Sequence, residues 1–268
     1  MKQILWFRRD LRVNDSAILA YAKDEVLPIF IFDKNILDKL KKDDKRVTFI
    51  YESVLKLKEN LKKLGLNLAI FYSTPKEVFQ ILKNQGFDNI LCSVDFDDYA
   101  KKRDEEIAKI IPIQTFTDAF ITHPNDCLKA DKTPYKVFTP YYNNLKFIWD
   151  SYKLEEFETN KNLKLIPFDF DSIPKLENMG FIKQTLPQFL QKSADELLQD
   201  FEQKIDNYKV DRDFFDKNAT SNLAVHLRFG LISARQVFNK IKELKARTEN
   251  KEFFIRELFW REFYNYIL

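Results

Sequence analysis

Val26-Leu-Pro-Ile-Phe-Ile-Phe32 is a continuous apolar run that is rich in Ile, Val and Phe. A run of this length and composition predicts a β-strand that is buried on both faces. Further apolar runs of the same kind flank it along the first half of the chain, at Gln3–Phe7, Leu66–Tyr72, Ile90–Val94 and Ile111–Phe116. The first half therefore contains five candidate strands.

Helical or mostly helical segments connect these runs. Predicted helices cover Ser16–Lys23, capped by Asp15 or Ser16, and then Asp44–Leu64, Pro75–Asn84 and Asp98–Ile110. Strands that alternate with helices in this way form a parallel sheet with helices on both faces. We expect an α/β fold whose N-terminal part is a five-stranded, parallel, doubly wound sheet.

The pattern changes after Thr117, where prolines become frequent and long apolar runs are few. A helix is predicted over Tyr141–Tyr152, a long connector over Leu154–Lys183, and a new helical region over Thr185–Asp206 with no clear strand beyond it. We therefore predict an α/β domain over residues 1–120, an interdomain connector over 121–184, and the first part of an all-helical domain over 185–268.

Composition excludes several classes of site. The four glycines, Gly65, Gly86, Gly180 and Gly230, cannot form a dinucleotide-binding glycine loop or a phosphate-binding P-loop. Two histidines and two scattered cysteines do not make a zinc site, so no metal is expected. The net charge of +3 is only a weak hint of a nucleic-acid partner. No apolar run approaches the ~20 residues that span a bilayer, and we expect a cytoplasmic protein without membrane contact.

A cluster of charges, Arg8, Arg9, Asp10 and Arg12, follows the first predicted strand. Ligands of parallel sheets bind beyond the carboxyl ends of the strands, so this cluster could line a ligand crevice. The simpler interpretation is an ion-pair network that fixes a loop or a domain interface.

Thr220-Ser-Asn-Leu223 precedes a predicted helical stretch. Two hydroxyl groups and free backbone N–H groups at a helix start suit a phosphate or diphosphate. The alternative is an ordinary helix cap, which is the commoner use of such residues.

The stretch Phe254-Ile-Arg-Glu-Leu-Phe-Trp-Arg-Glu-Phe-Tyr264 places Glu257, Trp260 and Arg261 at i, i+3 and i+4, on one helical face. Such a face can stack on a base, accept hydrogen bonds from a base edge and hold a phosphate. The alternative is an amphipathic helix whose Trp joins the core.

Together, four motifs resemble those of the photolyase/cryptochrome flavoprotein family, and the similarity covers essentially the whole chain. The motifs are Leu5-Trp-Phe-Arg-Arg-Asp-Leu-Arg12 with Asn14-Asp15, Tyr135-Lys-Val-Phe-Thr-Pro-Tyr141, the segment from Tyr208 through Arg212-Asp213 and Thr220–Leu223 to His226–Gly230, and Phe254–Phe263. Within the family, the chain is most similar to bacterial class I cyclobutane pyrimidine dimer photolyases.

The resemblance implies that the helical domain binds FAD. The residues it places at the cofactor are Tyr208, Thr220, Ser221, Asn222, Leu223, Ala224, Phe254 and Arg261. Three of these depart from the family pattern, since Asn222 replaces a basic residue, Ala224 a hydroxyl and Phe254 a frequent Trp. The resemblance also implies DNA contacts by Arg212, Glu257, Trp260, Arg261 and Tyr264. Glu257 would hydrogen-bond the lesion bases and Trp260 would stack on the flipped dimer, which makes them the expected catalytic pair.

The implied activity is light-driven repair of cyclobutane pyrimidine dimers in ultraviolet-damaged DNA, by electron transfer from excited reduced FAD. The alternatives are a cryptochrome-like blue-light sensor that binds FAD without repair, and a non-catalytic nucleotide- or partner-binding α/β module. Tyr99-Ala100 stands where folate-antenna members have an Asn-Glu pair, which disfavours a methenyl-tetrahydrofolate antenna and leaves its identity open. We expect a monomer. Because family members continue beyond the matched region, we also expect this chain alone to bind FAD poorly and not to repair DNA.

Overall fold

The computed structural model describes residues 1–151 and 153–267. In this part of the chain the strands are β1 (Lys2–Phe7), β2 (Glu25–Asp33), β3 (Ala69–Ser73), β4 (Asn89–Ser93), β5 (Ile113–Phe116) and β6 (Lys164–Leu165). They form one sheet in the order β3-β2-β1-β4-β5, and β6 pairs with β2. Each of these pairings is parallel. The predicted parallel α/β fold is confirmed.

The short strand β6 was not predicted. It pairs Lys164 with Glu25 and Leu165 with Val26, so the segment predicted as a connector returns to the sheet. A two-residue strand shows no hydrophobic period, and therefore no local pattern could indicate it.

Helices of the first half are α1 (Ala17–Tyr21), α2 (Lys34–Leu37), α3 (Lys45–Lys63), α4 (Pro75–Asn84) and α5 (Asp98–Ala108). Local capping explains their starts: the side chains of Asp44 and Asp97 accept backbone N–H bonds at α3 and α5. Thr74 and Glu77 form a reciprocal capping box at α4. The predicted helices are found at these places, with ends that differ by a few residues.

Two apolar layers cover the sheet. One layer packs Leu5, Phe7, Phe30 and Phe32 against α1 and α3. The other packs alternate residues of the same strands, including Ile4 and Trp6, against α4 and α5. Because side chains alternate across a strand, burial on both faces requires the continuous apolar runs seen in the sequence.

Later helices are α6 (Phe138–Asp150), α7 (Gln188–Gln191), α8 (Ala194–Glu202), α9 (Tyr208–Asp211), α10 (Ala224–Phe229), α11 (Ala234–Glu243) and α12 (Thr248–Tyr266). Short 3₁₀ turns cover Pro124–Asp126, Glu177–Met179 and Ile205–Asn207. The helix predicted over Tyr141–Tyr152 corresponds to α6, and its expected last residue, Tyr152, lies outside the described residues. Beyond residue 185 the described residues contain no strand, as predicted.

The chain divides into two compact units. The first unit comprises Met1–Asp118, Phe157–Gln191 and Phe229–Leu231, and the second comprises Ala119–Glu156, Lys192–Arg228 and Ile232–Leu268. Residues of the predicted connector thus occur in both units, while the boundaries expected at 120 and 184 stay a prediction. The second unit has its own core, built from α6 and α8 to α12. No helix in the described ranges has the length and apolar character that crossing a membrane requires.

Candidate functional site

The charge cluster after β1 forms an ion-pair network within the first unit. Arg8 Nη1 lies 2.8 Å from Asp104 Oδ1, Arg9 Nη1 lies 3.1 Å from Asp95 Oδ1, and the buried Arg12 Nη2 lies 2.6 Å from Asp118 Oδ1. Arg12 also donates to the backbone oxygens of Asp15 and Gly230. The ion-pair interpretation is therefore confirmed.

Asp10 is fully buried within this network and accepts a 2.7 Å hydrogen bond from the Arg8 N–H. Burial, together with the nearby carboxylate of Asp118, raises the pKa of Asp10 to about 6. The side chain therefore serves the first unit as a buried anchor of the loop after β1.

Gly230 is required by this same loop. Its φ of +67° is in the left-handed region, and a Cβ there would overlap the backbone of Arg9 and Asp10. The Leu11 N–H also donates to the Phe229 oxygen at 3.2 Å. Residues 229–231 thus pack directly on the loop that follows β1, within the first unit.

Most residues of the sequence-predicted site lie in the second unit on or beside α12. This helix contains no Pro or Gly and buries one face, formed by Phe254, Ile255, Leu258, Phe259, Glu262 and Phe263. These positions recur at i+3 and i+4 spacing, as expected for a helix packed on a core. Glu257, Trp260 and Arg261 lie half-buried on the neighbouring face, and Tyr264 is exposed.

Asn250 holds α9 against the start of α12. Its side-chain oxygen accepts from the Lys209 N–H at 2.9 Å, and its side-chain nitrogen donates to the Asp206 oxygen at 2.6 Å. This buried amide fixes the position of α9, whose C-terminal end then meets the middle of α12.

Arg212, at that end of α9, forms an ion pair with Glu257 through Nη1 and Oε1. Its guanidinium carbon lies 5.5 Å from the centre of the Tyr208 ring. The hydrogen bond to Glu257 is the main reason why the pKa of Arg212 is raised. The structure thus brings together an expected DNA-backbone contact and an expected lesion contact.

Tyr208 and Phe254 lie in the helical core. Their ring centres are 5.4 Å apart with planes at 74°, and both rings contact Phe201. Burial raises the pKa of the Tyr208 hydroxyl to about 12. Their expected roles at a cofactor stay a prediction.

Trp260 stacks on Phe138 of α6. The ring centres are 3.6 Å apart and the planes differ by 9°. Tyr264 lies 5.6 Å from the indole with planes at 28°. One face of the indole is therefore covered by a buried phenyl ring, and the expected stacking on a base must use the other face.

Arg261 connects α12 to α10. Its Nη2 donates to the Leu227 oxygen at 3.2 Å, near the C-terminal end of α10, and its guanidinium carbon lies 4.6 Å from the Phe120 ring centre. A cation at this end of a helix is favoured by the free carbonyl groups there.

Next to Arg261, the buried carboxyl group of Glu262 anchors a loop. Its Oε2 accepts from the N–H groups of Ile121 and Thr122 at 3.0 and 3.2 Å. Burial raises the pKa of Glu262 to about 7, against the opposing effect of Arg261 and these N–H donors.

The Thr220–Leu223 segment makes its own turn before α10. Asn222 adopts φ +57°, and Ser221 Oγ accepts from the Leu223 N–H at 3.4 Å. Leu223 is buried, whereas Thr220 and Ala224 are exposed. The hydroxyl groups of Thr220 and Ser221 lie on exposed or partly exposed residues in front of the short helix α10. Both the phosphate interpretation and the cap interpretation are therefore compatible with this geometry.

Sequence reasoning missed Phe138, Arg256 and Glu262. Phe138 lies in the motif Tyr135–Tyr141, which was interpreted only as an interdomain segment, and no local signal shows that it reaches Trp260. The charges of Arg256 and Glu262 appear on the α12 stretch, but their partners come from distant segments. Within residues 1–151 and 153–267, no three His, Cys, Asp or Glu side chains gather as a metal site.

Comparison with known proteins identifies the family. The sequence profile of the family described as DNA photolyase matches residues 3–159. The chain is 29% identical to the deoxyribodipyrimidine photo-lyase of Alkalihalophilus pseudofirmus, over 98% of this chain and 58% of that protein. The chain belongs to the DNA photolyase family.

Solved structures agree in fold. An archaeal photolyase from Sulfolobus tokodaii with two FAD molecules matches at a TM-score of 0.78 and 26% identity, over 99% of this chain and 59% of its own. The cryptochrome of Synechocystis sp. PCC6803 matches at a TM-score of 0.83 and 19% identity, over 100% of this chain and 61% of its own. The chain thus spans about three fifths of the length of the relatives it matches.

Proposed function

We propose that this chain contributes to light-driven repair of cyclobutane pyrimidine dimers in DNA, with FAD bound by its helical unit. The observation that carries the proposal is the surface of α12, where Glu257 and Trp260 lie side by side and Arg212 is paired to the carboxylate. A flipped lesion needs an apolar plane for stacking, an acceptor for base N–H groups and a cation for the backbone, and this surface offers all three. Relatives named deoxyribodipyrimidine photo-lyase support the reaction class.

The donor set fits the diphosphate part of FAD. Thr220 and Ser221 carry hydroxyl groups that are at least partly accessible. Asn222 adopts a left-handed backbone conformation just before α10, and successive backbone N–H groups around such a residue can bind an anion. The crystal structure of the archaeal photolyase from Sulfolobus tokodaii with two FAD molecules supports the same cofactor class. When bound and reduced, FAD would supply the light absorption and the electron donation that cleavage of the cyclobutane ring requires.

The chain's own residues would bind and orient the lesion. Trp260 would stack on one flipped base with the indole face opposite to Phe138, and Glu257 would accept hydrogen bonds from base N–H groups. Arg212 would bind a backbone phosphate, for which a guanidinium is well suited. The roles expected for Arg261 and Tyr264, and for Leu223, Ala224 and Phe254 at the cofactor, are part of this proposal.

The test is dark binding of two otherwise identical oligonucleotides, one carrying a thymine dimer, measured by fluorescence anisotropy. We expect tighter binding of the dimer-containing strand, because only the lesion uses Glu257 and Trp260 together. Glu257→Gln should lower this preference several-fold, since the amide is a weaker acceptor than a carboxylate. Glu252→Gln on the same helix removes the same charge outside the proposed site and is the matched control.

Equal affinity for both strands would contradict dimer recognition. A visible absorbance titration with FAD then separates the alternatives. One-to-one FAD binding without dimer preference or light-dependent repair favours the light sensor. Failure of both this chain and an extended form to bind FAD favours the non-catalytic module. The same titration tests the expectation that the isolated chain binds FAD poorly. The absence of a methenyl-tetrahydrofolate antenna, the monomeric state and the cytoplasmic location stay predictions.

A further inference from the structure

Phe138 has no role in the proposal so far, yet its ring stacks closely on that of Trp260. The two ring centres are 3.6 Å apart, and their planes are nearly parallel at 9°. The ring of Phe138 is 3% exposed, whereas Trp260 is half-buried. The phenyl ring is therefore a buried support beneath a partly accessible indole.

Phe138 is itself held in a fixed orientation. The Tyr142 ring, one helical turn further along α6, lies 5.6 Å away with planes at 19°. The guanidinium carbon of Arg256 lies 5.4 Å from the ring centres of both Phe138 and Tyr142. Contacts with Trp260, Tyr142 and Arg256 confine the ring, and this confinement extends to the plane of the indole.

Trp260 depends on this support for its orientation. A Trp side chain on a helix surface has two free torsions and several staggered states. Tyr264, which is exposed, and Phe263, which meets the indole edge-on with ring centres 5.9 Å apart, also contact Trp260, but both follow it on the same helix. Loss of Phe138 would therefore release the indole, even where the helix stays intact.

We propose that Phe138 is a positioning residue for lesion recognition, which fixes the plane of Trp260 and confines stacking to the indole face opposite to it. This inference rests on the proposed function and deepens it. A flipped base gains full stacking only when the indole is already in the correct plane. Phe138 acts through Trp260 and need not touch the DNA.

The test compares Phe138→Leu and Phe138→Met with Phe138→Tyr. The first two keep an apolar side chain but remove the flat ring, whereas Tyr keeps the ring. The measured quantity is the ratio of dark affinities for dimer-containing and undamaged oligonucleotides. We expect Leu and Met to lower the ratio about 2- to 10-fold, the range that one aromatic pair contributes, and Tyr to preserve it.

Phe259→Leu is the matched control. Phe259 is fully buried on α12 and contacts Tyr142 edge-on at 5.4 Å. The Phe259→Leu substitution removes a ring of the same size from the same core, so it measures the effect of lost packing on the affinity ratio. We expect it to leave the ratio unchanged at equal folded fraction, checked by far-ultraviolet circular dichroism.

A second measurement isolates the route through Trp260. In a Trp260→Phe background, Phe138→Leu should no longer change the ratio, because the indole that it orients is absent. The inference would be overturned if Phe138→Leu lowered the affinity ratio as much in the Trp260→Phe background as it does in the otherwise wild-type chain. It would also be overturned if the wild-type chain preferred the dimer and Phe138→Leu and Phe259→Leu gave equal ratios. A wild type without any preference would instead overturn the proposed function itself, so the two failures are distinguishable.

Discussion

Arg212 and Glu257 are 45 positions apart in the chain and form an ion pair that joins α9 to α12. Both side chains are partly accessible, at 28% and 35%. An ion pair in such a position contributes little to stability, because water competes for both partners. In the proposed function Arg212 binds a phosphate and Glu257 binds a base, so the two charges would neutralise each other until DNA separates them.

Replacement of Arg212 should separate backbone binding from lesion recognition. Arg212→Ala is expected to weaken binding of damaged and undamaged oligonucleotides alike, and to lower the slope of log affinity against log salt by about 1. Glu257→Gln should change the dimer preference and leave this slope nearly unchanged. Affinities measured over a range of salt concentrations test both statements, and an unchanged slope in Arg212→Ala would contradict the phosphate contact.

Glu262 should make the stability of the chain depend on pH. Because burial raises its pKa from 4.5 in the unfolded chain to about 7 in the folded chain, the folded state binds the proton more tightly. The resulting contribution of Glu262 to the free energy of unfolding is fully present below pH 4.5 and is lost as the pH rises through about 7. It amounts to at most about 3 kcal/mol. Urea unfolding at pH 5 and pH 8 measures it.

Glu262→Gln should reduce this pH dependence, since the amide does not titrate. Glu252→Gln, a half-buried position on the same helix, serves as the control and should keep the wild-type dependence. The assignment to Glu262 would be wrong if both variants followed the wild-type curve between these pH values.

Gly230→Ala should destabilise the chain far more than Gly86→Ala. Both glycines have positive φ, at +67° and +81°, so each substitution carries a backbone cost of about 1 kcal/mol. Only at Gly230 does the added methyl group overlap backbone, namely that of Arg9 and Asp10, while the space around Gly86 is open. We expect Gly230→Ala to lower the free energy of unfolding by several kcal/mol, measured by chemical denaturation. Equal losses would show that the loop after β1 can move aside.

Lys58→Met should be strongly destabilising although it removes only one charge. The buried ammonium donates to Asn67 Oδ1 and to the oxygens of Leu68 and Phe170, at 2.7 to 2.8 Å. The substitution leaves three acceptors without this donor, at a cost of about 2–4 kcal/mol. Lys62→Met, whose exposed side chain pairs with Glu59 one turn earlier, should cost less than about 1 kcal/mol. Similar unfolding midpoints for the two variants would contradict the anchoring role of Lys58.

The sequence by itself determined the local elements and the class of fold. Short continuous apolar runs rich in β-branched and aromatic residues, such as Val26–Phe32, are typical of strands covered on both faces. The period of α12 placed Glu257, Trp260 and Arg261 on one side of a helix. Motif order also indicated the family. These properties depend on neighbours within a few residues, so they are visible in a linear pattern.

Only the tertiary structure decided which distant groups meet. Nothing local predicts that Phe138 supports Trp260, that Arg212 pairs with Glu257, or that Glu262 is buried against the backbone of residues 121 and 122. Strand β6 escaped prediction for the same reason, since two residues acquire their structure from pairing with β2. Helical and strand periods constrain which face of an element is buried, but the partner across that face is selected by packing of the whole unit.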